Sequence, residues 1–283
     1  MDNSMCIAVK LGKKEEIESL GGYRGIFKHF EIPCSLLTGH VRLKDLIGKG
    51  FVFNAHGLVL PAEDEVGNFK RKTESHIDSC AQLGIQNLIL HGAVKEDAKD
   101  NRYDEELLNA TFKSLVGICE YAADRKVNCL LENGGYYSRD GVKYREITSL
   151  PGHHIALAER LGVGIVLDMG HLALSSSQNG YGLKEFISPY LEGDRSPEII
   201  HFSDNFLEED DHVAIGYGKA DIDVYRNVIN KWPEAIMTVE NFPEMISRSL
   251  MWLVPHFNGK YDSEDVRTLC YSMEWEVPGR SNE

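Results

Sequence analysis

Nine histidine, aspartate and glutamate residues fall at or just after short apolar runs of this sequence: His56, His91, Glu132, Asp168, His171, His201, Asp210, His212 and Glu240. Imidazole and carboxylate together are the ligand types that suit zinc, manganese and iron, and a mixed set favours a catalytic site with open positions over a closed structural one. An ion held that way polarises an oxygen or activates a water at neutral pH. Taken singly, each residue has an ordinary reading. A histidine near a strand end is commonly just hydrogen-bonded or exposed, and Glu132 and Glu240 could be loop carboxylates. Asp210 lies in the acidic run Glu208-Glu209-Asp210-Asp211, which by itself reads as a solvated loop. Together they read differently, because carboxylates gathered at one mouth repel one another unless cations stand among them. His29, His40, His76, His153, His154 and His256 fall outside the pattern and are expected to have no partners in it.

Such residues need a frame that brings strand ends to one place. Short β-rich runs alternate with longer helical patterns, the order expected of βα units and a parallel sheet. Eight runs can be counted: Cys6-Ile7-Ala8-Val9, Ile26-Phe27-Lys28-His29-Phe30, Phe51-Val52-Phe53-Asn54, Asn87-Leu88-Ile89-Leu90, Val127-Asn128-Cys129-Leu130-Leu131, Gly164-Ile165-Val166-Leu167, Ile199-Ile200-His201-Phe202 and Ala235-Ile236-Met237-Thr238-Val239. In residues 103–125, Leu108, Phe112, Leu115, Cys119 and Ala122 recur at steps of four and three, so a helix there has one apolar face to lay on a sheet. Leu83-Gly84 and Leu161-Gly162 close helical patterns just before a new run, as glycine C-caps do. The repeat predicts an α/β protein, a (β/α)8 TIM barrel over residues 1–262, with residues 263–283 a C-terminal extension and Gly279-Arg280-Ser281-Asn282-Glu283 a loose end.

In a parallel barrel the active site forms at the C-terminal ends of the strands. There His56 follows the third run, His91 the fourth, Glu132 the fifth, Asp168 the sixth and Glu240 the eighth, while His201 lies in the seventh. His171, Asp210 and His212 belong to the adjoining loops. Gly170, Gly216 and Gly218 are expected to take positive φ and turn these side chains toward the pocket.

The 283 residues show no linker, low-complexity tract or break in composition, so one continuous domain is the economical expectation. The six cysteines are scattered without a C-x-x-C pair and are expected to be reduced and mostly buried. Neither a membrane-length apolar run nor the basic and apolar segments of a signal peptide is found, from which a cytoplasmic location and no membrane partner are expected. A net charge of −14 argues against a broad electrostatic grip on nucleic acid. It does not exclude a single phosphate or sugar, because ions at the mouth would supply local positive charge.

From about Phe51 to Glu240 the sequence resembles the xylose isomerase-like barrel superfamily, which holds sugar isomerases and epimerases and the DNA-repair enzyme endonuclease IV. The residues that carry the resemblance are Leu131-Glu132-Asn133, Asp168-Met169-Gly170-His171, His201-Phe202-Ser203-Asp204-Asn205 and Asp210-Asp211-His212-Val213-Ala214-Ile215-Gly216-Tyr217-Gly218. The last is similar to the D-x-H-x-x-x-G-x-G pattern of endonuclease IV. That resemblance implies one ion on His56, His91 and Glu132, a second on Glu132, Asp168, His201 and Glu240, and a third on His171, Asp210 and His212. Departures accompany it. Met5-Cys6-Ile7-Ala8-Val9 stands where endonuclease IV has G-x-H-x-S, His91-Gly92-Ala93-Val94 where it has H-P-G-S, and Val59-Leu60 where it inserts a Tyr-Leu pair into DNA. These losses weigh against a nucleic-acid partner.

Two activities are therefore expected as alternatives. The first is phosphoester hydrolysis on up to three divalent ions, zinc foremost, in the manner of endonuclease IV. The second is isomerisation or epimerisation of a sugar or sugar phosphate on one ion, manganese or cobalt among the choices, with Glu132 and Glu240 as the catalytic base and acid. In the second, His171 would contact the sugar, and the aromatic loop residues Tyr136 and Tyr137 and Phe206 could stack on its ring. A barrel that keeps a purely structural or sensory metal site is the third option. The partner is a small sugar or phosphoester in either enzyme reading.

Overall fold

The computed structural model describes residues 6–38, 41–60, 66–96, 104–139 and 141–275. Its strands are β1 (Cys6–Lys10), β2 (His29–Pro33), β3 (Val52–His56), β4 (Asn87–Leu90), β5 (Val94–Glu96), β6 (Asn128–Glu132), β7 (Tyr136–Arg139), β8 (Val142–Glu146), β9 (Gly164–Asp168), β10 (Ile199–Phe202) and β11 (Ile236–Val239). The helices are α1 (Lys14–Ser19), α2 (Val41–Gly48), α3 (Val66–Leu83), α4 (Asp104–Asp124), α5 (Pro151–Leu161), α6 (Met169–Gln178), α7 (Leu183–Phe186), α8 (Ser188–Glu192), α9 (Ile222–Lys231), α10 (Pro243–Leu253) and α11 (Ser263–Met273). Eight strands close a parallel barrel in the order β1-β11-β10-β9-β6-β4-β3-β2, with helices around it, which is the predicted (β/α)8 architecture.

Two layers fill this barrel, and the period-two alternation of strand side chains sets both. Ile89, Leu130, Val166 and Ile199, with Ile236 against them, form a buried apolar cluster separate from the main core between barrel and helices. His91, Glu132, Asp168 and His201 come two residues after the first four, so they face the same interior one step nearer the mouth. Cross-strand register keeps that layer level, since His201 pairs with Asp168 on one side and Thr238 on the other. Burying each such aliphatic side chain contributes roughly 1.5–3 kcal/mol, and that apolar floor carries the cost of a polar layer above it.

The second strand departs from its predicted position. It runs over His29–Pro33 rather than starting at Ile26, because Ile26 is exposed while Phe27 leaves the sheet to stack on Tyr261 with ring centroids 4.8 Å apart. The shift carries Glu31 into the barrel, where it is fully buried. A three-stranded antiparallel sheet, β5-β8-β7, was not anticipated either, because its strands are short and interrupted by Lys, Ser and Arg. Tyr136 and Tyr137 lie in β7 and not in a loop; Tyr136 is buried, and Tyr137 stacks on Tyr144 at 5.6 Å. A buried brace ties this sheet to α4, with Arg145 Nη2 donating to both oxygens of Asp104 at 2.7 and 2.5 Å.

Helix α4 spans the predicted segment, and Gly84 and Gly162 follow their helices with φ of 80° and 67°. Helix α11 lies within residues 263–283 and buries Val266, Leu269 and Cys270, after which the Trp275 indole donates to Glu16 Oε1 at 3.1 Å. His40 and the segment Gly279-Arg280-Ser281-Asn282-Glu283 lie outside the described residues. All six cysteines are free, and five of them are buried. No helix among the described residues is long and apolar enough to cross a membrane.

Candidate metal centre

All nine residues singled out in the sequence reach the C-terminal mouth of the barrel, where they form three groups, the first two sharing Glu132, and a fourth group adds the unanticipated Glu31 to His56, His201 and Glu240. His56, His91 and Glu132 make one, Glu132, Asp168, His201 and Glu240 a second, and His171, Asp210 and His212 a third, each offering ligand atoms within 4.8 Å of one another. Two donors about 2.0–2.2 Å from one tetrahedral ion stand roughly 3.4 Å apart. Observed separations cluster around that value: His91 Nε2 to Glu132 Oε2 is 3.5 Å, His201 Nδ1 to Glu132 Oε1 3.3 Å and to Asp168 Oδ2 3.6 Å, and His171 Nε2 to Asp210 Oδ2 3.2 Å. His212 Nε2 is 3.0 Å from Asp210 Oδ2.

The unsatisfied atoms point the same way. Both oxygens of Glu132, Asp168 Oδ2, His201 Nδ1 and Glu240 Oε2 are buried without a hydrogen bond. Leaving one such atom unpaired costs about 1–3 kcal/mol, more when it is charged, so five of them turned toward one point are explained by an ion that fits among them. The residues present therefore fit divalent metal.

Ring orientation supplies a second test of fit. A ligating histidine normally donates its other N–H to a carboxylate or carbonyl, which fixes the tautomer. Here His56 Nδ1 faces Glu31 Oε1 at 2.8 Å, His201 Nε2 faces Glu31 Oε2 at 2.9 Å, and His91 Nδ1 stands 3.4 Å from Glu146 Oε2. His171 Nδ1 faces the Asn133 carbonyl at 3.0 Å and His212 Nδ1 the Glu240 carbonyl at 3.1 Å. In each ring the remaining nitrogen is the one turned into a group. His56 Nε2 and His91 Nε2 meet at 2.9 Å. With His56 Nδ1 donating to Glu31, its Nε2 presents a lone pair toward His91 Nε2 and toward the Lys10 ammonium at 3.4 Å.

Asparagines after the ligands tie one strand end to the next and another to the loop of His212. Asn133 donates to the Asp168 carbonyl at 2.9 Å and accepts from the Asp168 N–H at 2.7 Å; Asn241 donates to the carbonyls of His212 and Val213 at 3.0 and 2.7 Å. Asp204, fully buried, accepts from the N–H groups of Gly216, Gly218 and Ala220, which folds the loop that carries Asp210 and His212. The three glycines work differently from expectation. Only Gly216 has positive φ, at 79°, while a Cβ on Gly170 would lie 2.2 Å from Ser203 Oγ and one on Gly218 2.3 Å from the Asn205 carbonyl oxygen. Close approach, not turn geometry, requires glycine at those two positions, and His212 itself takes the positive φ, 46°.

Sequence reasoning missed Lys10, Glu31 and Glu146. Lys10 ends β1 one residue beyond the counted run; its ammonium is paired with Glu240 and lies 3.4 Å from His56 Nε2 and 3.9 Å from Glu31 Oε1. Period-two alternation from Ala8 would have found it. Among the histidines set aside, His154 is a fully buried core residue outside the ligand groups; it bonds Tyr190 Oη at 2.8 Å and the Leu131 carbonyl at 2.9 Å, bracing the residue before Glu132.

Charge at this mouth is balanced by protonation. Burial opposes ionisation of Glu132, but the charges of His201 and His91 hold its carboxyl well below the usual range. Burial would lower His201, yet Glu31, Glu132 and Glu240 hold it well above the usual imidazole range. Burial likewise opposes a charged His212, but its bond to Asp210 raises it to about 9. His56 is lowered, by burial and by the charge of Lys10. A group whose folded pKa is raised lends stability that is complete below its unfolded value and disappears as pH rises through the folded one. Metal-stripped protein is therefore expected to lose melting temperature progressively from about pH 6.5 to 9. A divalent ion held there would replace the same protons, so its affinity is expected to rise over that range and the metal-loaded protein to melt at a nearly constant temperature. Calorimetric scans of both forms across this pH interval check it, and a stripped protein whose melting is flat with pH contradicts it.

Solved structures with this architecture are similar over nearly the whole chain. A D-tagatose 3-epimerase-like protein aligns with TM-score 0.67 at 18% identity, covering 90% of this chain and 99% of that one. The TTHB071 protein from Thermus thermophilus, soaked with ZnCl2, aligns with TM-score 0.68 at 18% identity over 91% of this chain and all of that one. The 3-keto-D-glucoside 4-epimerase YcjR from E. coli gives TM-score 0.64 at 15% identity, over 89% and 99%. At such identities the likeness concerns the fold. Comparison with curated protein sequences finds no match. The family model described as xylose isomerase-like TIM barrel matches residues 22–256, and on that match, which takes in seven of the eight barrel strands, this chain belongs to the xylose isomerase-like TIM-barrel family.

Proposed function

We propose that this barrel is a divalent-metal-dependent enzyme with a multinuclear centre suited to hydrolysis of a small phosphoester. The observation that carries the reading is the convergence of three ligand groups in which each histidine turns one nitrogen inward and has the other facing an acceptor. A single-ion isomerase has no need of His56, His91, Asp210 and His212 as ligands, whereas a three-ion site uses them all. Divalent ions bound there would supply an activated water and neutralise charge developing on a phosphoryl group. Glu132, common to two groups, would hold both ions in fixed relation. His171, Asp210 and His212, held by the Asn133 and Glu240 carbonyls, would present the remaining ion to the leaving oxygen. The net charge of −14 favours a small substrate over a polynucleotide.

A second reading, sugar or sugar-phosphate isomerisation or epimerisation on one ion, is supported by Lys10. Its ammonium already stands beside His56 Nε2 and Glu240, so that corner of the mouth has a resident positive charge without a metal. In this reading Glu132, Asp168, His201 and Glu240 hold the ion, and Glu132 and Glu240, both within reach of His201 Nδ1 at 3.3 and 2.9 Å, exchange the substrate proton. The named epimerases among the similar structures are consistent with such chemistry.

Elemental analysis of protein purified without chelator tests both. About three zinc-class ions per chain is expected for the hydrolase and one manganese or cobalt for the isomerase. Protein that holds no divalent ion, as purified or after incubation with zinc or manganese, removes both readings.

A further inference from the structure

Glu31 is a fully buried carboxylate at the mouth whose two oxygens are both committed to histidine. Oε1 lies 2.8 Å from His56 Nδ1 and Oε2 2.9 Å from His201 Nε2, so one side chain joins the group of His56, His91 and Glu132 to that of Glu132, Asp168, His201 and Glu240, and itself stands in a fourth group with His56, His201 and Glu240. It sits on β2, against β3 on one side and β1 on the other, and reaches across the barrel interior to β10. Glu31 does not need to be a ligand to matter there. A carboxylate accepts at both oxygens and donates at neither, so it requires a proton on His56 Nδ1 and another on His201 Nε2. Those two protons leave His56 Nε2 an acceptor grouped with His91 and Glu132, with the Lys10 ammonium also 3.4 Å from it, and His201 Nδ1 an acceptor toward Glu132, Asp168 and Glu240.

We infer that Glu31 is a positioning residue which sets the tautomers of His56 and His201 together and so couples two metal sites through one carboxylate. The inference rests on the metal reading proposed above. With Glu31 in place, an ion that draws His201 into its ligating orientation also fixes the oxygen pair that orients His56, and the first ion prepares the site of the next. The group of His171, Asp210 and His212 has no contact with Glu31 and stands outside this coupling.

Glu31→Gln is the informative change because it preserves shape. An amide offers one acceptor and one donor, so it satisfies one histidine and forces the other to accept, which moves that ring's proton to its metal side. Zinc is titrated into metal-stripped full-length protein against a chromophoric chelator. In Glu31→Gln the two ions that depend on His56 and His201 are expected to weaken by about 10–100-fold, the size of effect that outer carboxylates exert. The ion on His171, Asp210 and His212 keeps its wild-type affinity, and its identity is checked by its disappearance in Glu31→Gln/His212→Ala. Loss of all three ions together in a folded variant would overturn the role assigned to Glu31, as would a variant that loads zinc like wild type. Wild-type protein that takes up no zinc overturns the metal reading itself, and is distinguished by that.

If Glu31→Gln does not fold, nitrogen-15 histidine spectra of zinc-loaded wild type decide the matter. The remaining proton is expected on Nδ1 of His56 and on Nε2 of His201. The opposite tautomer at either ring contradicts the inference.

Discussion

Protein carrying Glu132→Gln is expected to retain at most the ion on His171, Asp210 and His212 and to lose at least ~10^3-fold in kcat/KM, within the range that single acid–base or electrostatic groups contribute. Glu132 is fully buried, belongs to two ligand groups, and has no hydrogen bond to either oxygen. An amide there keeps the volume but offers a single acceptor with no charge, so it cannot serve two cations at once. The same residue would hold the ion and move the proton in the isomerase reading, so its replacement is damaging in both. Thermal shift provides a readout independent of activity. Each site filled at 100-fold excess over its Kd adds about 2.7 kcal/mol, or roughly 5–10 °C for a chain of this size. Wild type is expected to gain that increment for every ion it binds, and the variant only the one of the distal group. A Glu132→Gln protein with wild-type zinc content and turnover would contradict the placement of this residue at the centre of the site.

His212→Ala separates the two chemistries. His212 joins the distal group through Asp210, with its ring held by the Glu240 carbonyl, and is not among the four residues that would hold a single isomerase ion. In the hydrolase reading the distal ion is lost and phosphoester turnover falls by about 10^2–10^3-fold or more, the cost of removing one group that stabilises developing charge. In the isomerase reading the buried group of Glu132, Asp168, His201 and Glu240 is intact, and sugar epimerisation survives within a few-fold. Both assays are run on one preparation of wild type and variant, with small phosphoesters and with free and phosphorylated ketoses as substrates. Phosphoester turnover unaffected by His212→Ala would remove the distal group from catalysis.

Lys10 bears on both readings. It is paired with Glu240, and the charges of Glu240 and Glu31 keep it protonated despite burial. A permanent ammonium at that corner contributes one positive charge among Glu31, Glu132, Glu146, Asp168, Asp210 and Glu240. With one dication on Glu132, Asp168, His201 and Glu240, protonated His171 and His212 still offset their carboxylate neighbours, whereas three dications would replace those protons.

The barrel and the membership of its mouth were legible along the chain for one reason. Side chains in a strand alternate with period two, and an apolar residue below a polar one, as in Ile89 and His91, Leu130 and Glu132, Val166 and Asp168, Ile199 and His201, is a local pattern. The segments Leu131-Glu132-Asn133 and Val239-Glu240-Asn241 also held, in adjacent positions, both an inward carboxylate and the amide that ties its strand end to a neighbour.

What the linear order did not contain is which groups face one another across the barrel. Glu31 and His201 are separated by 170 residues, and Lys10 and Glu240 by 230, so their contacts exist only once the sheet closes on itself. Strand boundaries mattered for the same reason: moving β2 by three residues turned Glu31 from an unremarked position into the shared partner of two histidines. The roles of Gly170 and Gly218 were likewise decided by atoms brought from elsewhere, the Ser203 hydroxyl and the Asn205 carbonyl. Residue type and periodicity are local properties and determined which side chains point inward. Tautomer, charge balance and the sharing of a ligand depend on distances between distant segments, and those only the tertiary structure decided.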